Sequence, residues 1–290
     1  MIIILLKKYL LFLLTFIIGS TSICLPVLCP IFKIFTQRGC ITFVSIYSYI
    51  IWNLYSIIFN LTSHIEFEDI EELEKIEDYD NCILLSNHVA AIDFLVLHEI
   101  AKKKKMLKNL KYVLKTSLIF IPFIGTGIYF LKFCFISRSI KKDKEKLKNW
   151  CRFIQQNKIP TWLVVYPEGT RFTKEKQKAS ETFCREKNIE PFTNVLYPRI
   201  KGFEILQPNS KKYLTKIVDV TLQYFNTDET KEIPSLAKFY LQQPKGYFKA
   251  KIKVTNAEDI KNPGEFLKES FKMKGETIER WKREINHKEN

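Results

Sequence analysis

The sequence predicts an α/β domain, a central mainly parallel mixed sheet flanked by helices, preceded by a two-helix membrane anchor. Three observations predict it. From Glu66 onward, short apolar runs alternate with lysine-rich amphipathic stretches, the rhythm of strand–helix units packed around one sheet. Before that alternation, residues 41–59 carry no charge at all. The two stretches richest in reactive groups, Asn87 to Asp93 and Tyr166 to Arg171, each follow an apolar run, which is where such sheets collect their functional side chains. A chain of 290 residues can bury one sizeable core and still carry a membrane element. The expected division is 1–62 as anchor and 63–290 as the α/β domain with its C-terminal strands and closing helix.

The anchor comes first in the chain. At about 1.5 Å per helical residue, the 41–59 run nearly matches the roughly 30 Å hydrocarbon core. Its Tyr47, Tyr49, Trp52 and Tyr55 suit an interface or a partner helix. Residues 9–28 form a second apolar run behind Lys7 and Lys8, interrupted by Gly19 and a Ser-Thr-Ser cluster and ended by Pro26 and Pro30. That run reads as a spanning helix, one arm of a re-entrant hairpin, or a cleaved signal peptide. The lack of a small-x-small cleavage site and the apolar run that follows favour a helix of the anchor. Lysines and arginines flank both runs, so charge leaves the sidedness open.

The remaining elements follow by period and punctuation. Residues 82–86 are continuously apolar, the mark of a strand buried on both faces, and 90–103 have helical composition. A strand is expected at 112–114. Residues 118–130, with Pro122, Gly125 and Gly127, form a hydrophobic loop, a kinked helix or a membrane-dipping surface. Residues 133–137 read as a strand, and 141–156 as a helix with Leu147, Trp150, Cys151 and Ile154 on one stripe. Then come a strand at 162–165, a polar helix at 174–187, and a return towards the sheet at 189–195. Strands at 217–225 and 248–254 include antiparallel members, and residues 263–290 form a charged helix on the surface.

The net charge of +15, with lysines clustered at 102–105 and 141–148, raises nucleic-acid binding as a function. No zinc-finger spacing or RNA-recognition signature accompanies it, and the apolar anchor favours an anionic lipid surface. The plain alternative is that these lysines solvate exposed helix faces. Seven cysteines are scattered without a Cys-x-x-Cys pair, and an odd number leaves no complete disulfide set. They read as small buried residues in a reducing compartment. The Asn60-Leu61-Thr62 sequon sits against the apolar run and is expected to stay unused.

Of the four histidines, His88 has the context for chemistry. It follows a predicted strand end, and Asp93 falls in the first turn of the next helix. From there the carboxylate can fold back on one imidazole nitrogen and leave the other as a base. The plain reading makes Asp93 a helix cap and His88 a structural ring. His64, His98 and His287 lack this context. In Tyr166-Pro167-Glu168-Gly169-Thr170-Arg171, Gly169 allows close backbone approach, Thr170 and free amides suit an anion, and Arg171 offers a planar fork for phosphate. Glu168 carries the wrong sign for phosphate and instead holds a hydroxyl, an arginine or the loop. Pro-Glu-Gly is equally a common surface turn. Arg138, at another strand end, is a phosphate clamp or a surface ion pair. Lys115 and Lys201 are further candidate cations, Lys201 within Tyr197-Pro198-Arg199-Ile200-Lys201-Gly202-Phe203. No zinc ligand set, phosphate-binding P-loop, dinucleotide fingerprint or Gly-x-Ser-x-Gly elbow occurs. Neither metal nor cofactor is therefore expected.

At these residues the chain resembles the glycerolipid acyltransferase family, in particular the 1-acylglycerol-3-phosphate acyltransferases. Asn87 to Asp93 is similar to the family's first block, whose His and Asp are the catalytic pair. Phe135-Ile136-Ser137-Arg138-Ser139 is similar to the second, whose arginine serves the glycerophosphate. Tyr166 to Arg171 matches the third, where Glu168, Gly169, Thr170 and Arg171 would contribute to acceptor binding. Val195-Leu196-Tyr197-Pro198-Arg199 fits the fourth through Pro198. The Pro198 to Phe203 stretch is similar to the eukaryotic branch that includes lysocardiolipin acyltransferases, although the C-terminal membrane helices common there are replaced by a hydrophilic helix around Trp281.

The resemblance implies transfer from acyl-CoA to the sn-2 hydroxyl of lysophosphatidate at an endoplasmic reticulum membrane. The domain would face the cytosol, where acyl-CoA is supplied, and the product would feed phospholipid synthesis. Reacylation of another lysophospholipid, such as lysocardiolipin or lysophosphatidylinositol, is the alternative within this chemistry. A non-catalytic lipid-binding protein is the alternative outside it.

Overall fold

The computed structural model describes residues 2–24, 28, 37–61, 63–121, 124–226, 233, 235 and 246–289. Two helices, α1 (Ile2–Ser20) and α2 (Gln37–Asn60), precede the sheet. The α/β part then runs β1 (Ile65–Glu68), β2 (Cys82–Ser86), α3 (Asp93–Lys103), β3 (Leu110–Lys115), α4 (Ile124–Phe130), β4 (Cys134–Ile136), α5 (Ile140–Gln156) and β5 (Trp162–Val165). It continues with α6 (Lys174–Glu186), α7 (Ile200–Ser210), β6 (Lys216–Asn226), β7 (Gly246–Asn256) and α8 (Pro263–Glu289).

The seven strands lie in the order β1-β7-β6-β2-β5-β3-β4. Every neighbouring pair is parallel except β6 with β7, so the sheet is mainly parallel and mixed, as its apolar strand pattern predicts. All five residues of β2 are buried. The pleat sends Cys82 and Leu84 into the core beneath α3 and α2, and Ile83 and Leu85 into the core beneath α5, α7 and α8. With both faces covered, β2, β5 and β3 point their carboxyl ends at one rim, where the loops bearing His88 and Glu168 lie.

Among the described residues one helical stretch, Gly39–Asn60, is long and apolar enough to cross a membrane, with a third of its most apolar window buried (33%). Of the two helices expected for the anchor, α2 alone meets this test among the described residues; the Pro26 and Pro30 stops expected for the first run lie outside the described residues. α2 is fastened to the domain. Ser56 hydrogen-bonds Glu99 and accepts from Lys102 at 2.9 Å, both on α3, while Trp52 packs 5.1 Å from His98. Val44, Ile58 and Phe59 enter the core, whereas Ile46, Tyr49, Ile50 and Ile57 stay exposed. The 118–130 stretch resolves into a short 3₁₀ turn (Thr116–Phe120) and α4, leaving Phe120, Ile121, Ile124 and Tyr129 exposed.

Four expectations change. The helix after β2 starts at Asp93 rather than Ala90, because the Asp93 carboxylate takes the Ala90 amide and holds that segment as a turn. Residues 189–195 do not join the sheet, and α7 follows where no helix was expected, its period disguised by Gly202 and Pro208. The C-terminal helix is no surface element. Leu267, Phe271, Ile278 and Trp281 are fully buried on one stripe, and Trp281 donates to Glu68 at 2.8 Å. Within that stripe Lys274 is buried against Asp219 and the Val220 carbonyl, so a charged composition conceals a core helix. Of the described cysteines, five are buried and Cys24 is exposed.

Candidate active site

The site begins where β2 ends. The Asn87 side chain accepts from the Leu222 amide and donates to the Leu222 carbonyl, both at 2.8 Å. This amide imitates one more backbone pair with β6, which lets the main chain turn away and lift His88 out of the sheet. The next helix then supplies Asp93, 0% exposed. One of its oxygens meets His88 Nδ1 at 2.8 Å and accepts the Val89 amide at 2.8 Å, and the other accepts the Ala90 amide at 2.9 Å. Burial pushes the Asp93 carboxyl up, while the imidazole and the Ala90 and Val89 amides oppose that shift. A carboxylate only accepts, so Nδ1 carries the imidazole proton and Nε2 keeps its lone pair. Nε2 has no hydrogen-bond partner among the described residues, and the His88 side chain is 22% exposed. Tyr166, the residue after β5, stacks on the ring at 4.3 Å and fixes its plane.

Glu168 organises the neighbouring loops. It is 4% exposed, and its carboxylate accepts the His88 amide at 3.0 Å and the Leu196 amide at 3.1 Å. Burial raises this carboxyl to about 8 against the pull of those amides. Of the roles open to it in the sequence, holding the loop is the one its contacts show. The Phe172 amide donates to the His88 carbonyl at 2.7 Å and the Arg199 amide to the Pro167 carbonyl at 2.8 Å, so the loops after β2, β5 and α6 are tied together.

Gly169 sits at φ 68, where a side chain is strained. Its amide closes the turn on the Tyr166 carbonyl at 2.9 Å. Thr170 accepts from Lys176. Arg171 is exposed on the same turn. Arg138 follows β4 at φ 66, in a loop pinned by Asp143, which accepts the Ser137 amide at 2.7 Å and the Ser139 amide at 3.0 Å. Asp143 had no signal in the sequence beyond its place among lysines, and its role emerges only from the fold. Arg138, Arg171 and Arg199 form no ion pair among the described residues.

The other candidate cations stand apart. Lys115 is exposed at the carboxyl end of β3, and Lys201 is exposed in the first turn of α7; neither makes a described contact with this cluster. Pro198 is buried. His98 is enclosed by Trp52, Phe94 and Tyr112, and burial lowers it to about 3, so it stays a neutral core ring. Among the described residues, no group of His, Cys, Asp and Glu has the proximity to hold a metal ion.

The arrangement supplies a base with a fixed tautomer, a buried carboxylate to stabilise the imidazolium, and exposed arginines at one rim. That set can take a proton from an alcohol on an anionic molecule. Residues 64–204 match the family model described as Acyltransferase. A 1-acyl-sn-glycerol-3-phosphate acyltransferase 3 of Arabidopsis thaliana is 30% identical over 177 residues, 61% of this chain and 46% of that protein. A probable 1-acyl-sn-glycerol-3-phosphate acyltransferase 5 of the same plant is 30% identical over 151 residues, covering 52% and 40%. The epsilon form of Mus musculus is 29% identical over 173 residues, covering 57% and 47%. Each match spans less than half of the relative's length.

Proposed function

We propose that this chain, whose residues 64–204 match the Acyltransferase family model, is a glycerolipid acyltransferase that transfers an acyl group from acyl-CoA to the sn-2 hydroxyl of 1-acyl-sn-glycerol 3-phosphate. The observation that carries the reading is the imidazole of His88, held by Asp93 at Nδ1 with Nε2 unpartnered beside a rim of arginines. The acceptor phosphate meets Arg138 and Arg171, which sets its hydroxyl near His88. Nε2 takes the hydroxyl proton as the oxygen attacks the thioester carbonyl, and Asp93 stabilises the imidazolium. The tetrahedral intermediate then expels the thiolate of CoA, which receives that proton, leaving phosphatidate and a neutral His88. No metal or cofactor takes part in this scheme.

The exposed apolar residues of α2 and α4 support work at a bilayer, and we place the protein at the endoplasmic reticulum with its sheet on the cytosolic side, where acyl-CoA is supplied. The names of the relatives support lysophosphatidate as acceptor. The test uses the full chain in vesicles, with CoA release measured against lysophosphatidate, lysophosphatidylinositol and lysocardiolipin. Lysophosphatidate is expected to be turned over best, and His88→Ala to abolish transfer while membrane association persists. Turnover by His88→Ala at the parent rate sinks the mechanism, and a better rate with another headgroup replaces the acceptor.

A further inference from the structure

In the sequence Arg199 and Lys201 are two cations near Gly202, and the fold lays Arg199 across the Gly169 turn. A Cβ at Gly169 would stand 2.7 Å from Arg199 Nε, 3.0 Å from Cζ and 3.1 Å from Cδ. Gly169 is therefore needed for more than its φ of 68: it vacates the volume through which the guanidinium stem passes. The stem is anchored from below. The Arg199 amide is bonded to Pro167, the Leu196 amide to Glu168, and Glu168 in turn to the His88 amide. The position of Arg199 is thus tied through one buried carboxylate to the position of His88.

The electrostatics point the same way. Desolvation and the nearby Arg138 both disfavour the charge on Arg199, and no carboxylate among the described residues pairs with either side chain. The Arg138 loop is held in its left-handed conformation by Asp143, whose oxygens are engaged by the Ser137 and Ser139 amides and the Ser137 hydroxyl. Like charges fixed together without a counter-charge repel until an anion arrives, and two guanidinium forks with separate approaches suit a group bearing two negative charges.

We infer that Arg199 is a specificity-determining residue of the acceptor site, reading the second negative charge of a phosphomonoester and thereby separating such acceptors from lysophospholipids whose phosphate is a diester. The inference deepens the acyl-acceptor reading above and rests on it. Arg138 and Arg171 bind the phosphate common to both classes, and Arg199 binds the oxygen that a diester has lost to its headgroup.

Arg199→Gln and Arg199→Lys in the full chain test it, with lysophosphatidate and lysophosphatidylinositol as acceptors. Because Arg199 is exposed, neither substitution threatens folding. Arg199→Gln is expected to raise KM for lysophosphatidate about tenfold with little change in kcat, and Arg199→Lys to recover part of the loss. In the parent protein KM should fall as pH rises through about 6, where a phosphomonoester gains its second charge, and this dependence should flatten in Arg199→Gln. Binding of glycerol 3-phosphate by calorimetry gives a readout without turnover. Unchanged KM, pH dependence and glycerol 3-phosphate affinity in Arg199→Gln overturn the inference while leaving the acyltransferase reading intact. Failure of the parent protein to use any lysophosphatidate sinks that reading instead, and the calorimetry still decides Arg199.

Discussion

Replacing Asp93 by asparagine separates charge from shape at the centre of the site. The carboxylate lies 2.8 Å from His88 Nδ1 and receives the Val89 and Ala90 amides, with no exposure to solvent. When Nε2 takes a proton, a full positive charge develops beside it. Opposite charges about 4 Å apart in a medium of effective dielectric about 20 attract by roughly 4 kcal/mol. Losing that attraction corresponds to about a thousandfold in kcat. Asparagine adds a second defect, because its NH₂ aimed at Nδ1 favours the tautomer with the proton on Nε2 and removes the base. The acceptor cannot touch a residue 0% exposed, so KM should stay near the parent value. Initial rates of CoA release, with thermal unfolding recorded in parallel, measure both effects. A folded Asp93→Asn protein that keeps more than a tenth of the parent kcat would refute the role assigned to the carboxylate.

Two further outcomes follow from the supports of the site and the sheet. Glu168→Gln leaves one oxygen for the two amides of His88 and Leu196, so the variant should lose about 1–3 kcal/mol, read as several degrees of Tm; an unchanged Tm would show that the two amides do not depend on this carboxylate. The Glu68 carboxyl is raised by burial, but hydrogen bonds from Lys251, Trp281 and Arg280 outweigh that and hold it at about 2. A depressed folded value means that its contribution is complete above the ordinary 4.5 and disappears as pH falls towards 2. Glu68→Gln should therefore lower Tm at neutral pH and flatten its acid limb across that window. An acid limb as steep as the parent's would count against the assignment.

The strands and most helices were legible because each has a strong local signature. β2 and β5 are short continuous apolar runs, and α5 carries its buried stripe openly. α7 escaped notice because Gly202 and Pro208 interrupt its pattern, although Phe203 and Leu206 keep it in the core. α8 looked like a surface helix because composition averages over its whole circumference, whereas packing depends on the one stripe from Leu267 to Trp281. At the site, the spacing of His88 and Asp93, read with the buried run before them and the helix after, made their pairing one of two open readings. Glu168 could not be assigned, since its partners lie 80 residues before and 28 residues after it in the chain.

Local order made the His88–Asp93 pair legible: a histidine at the end of a buried run, five residues before an aspartate, lies within reach of that aspartate through a single turn. Short-range geometry of this kind is written in sequence because few backbone dihedrals separate the groups. The tertiary structure alone decided that Glu168 clamps two distant amides, that Asp143 sets the conformation at Arg138, and that Arg199 crosses Gly169. Those contacts join loops from different strands, and their geometry comes from the order and register of the sheet, which no neighbouring residues encode by themselves.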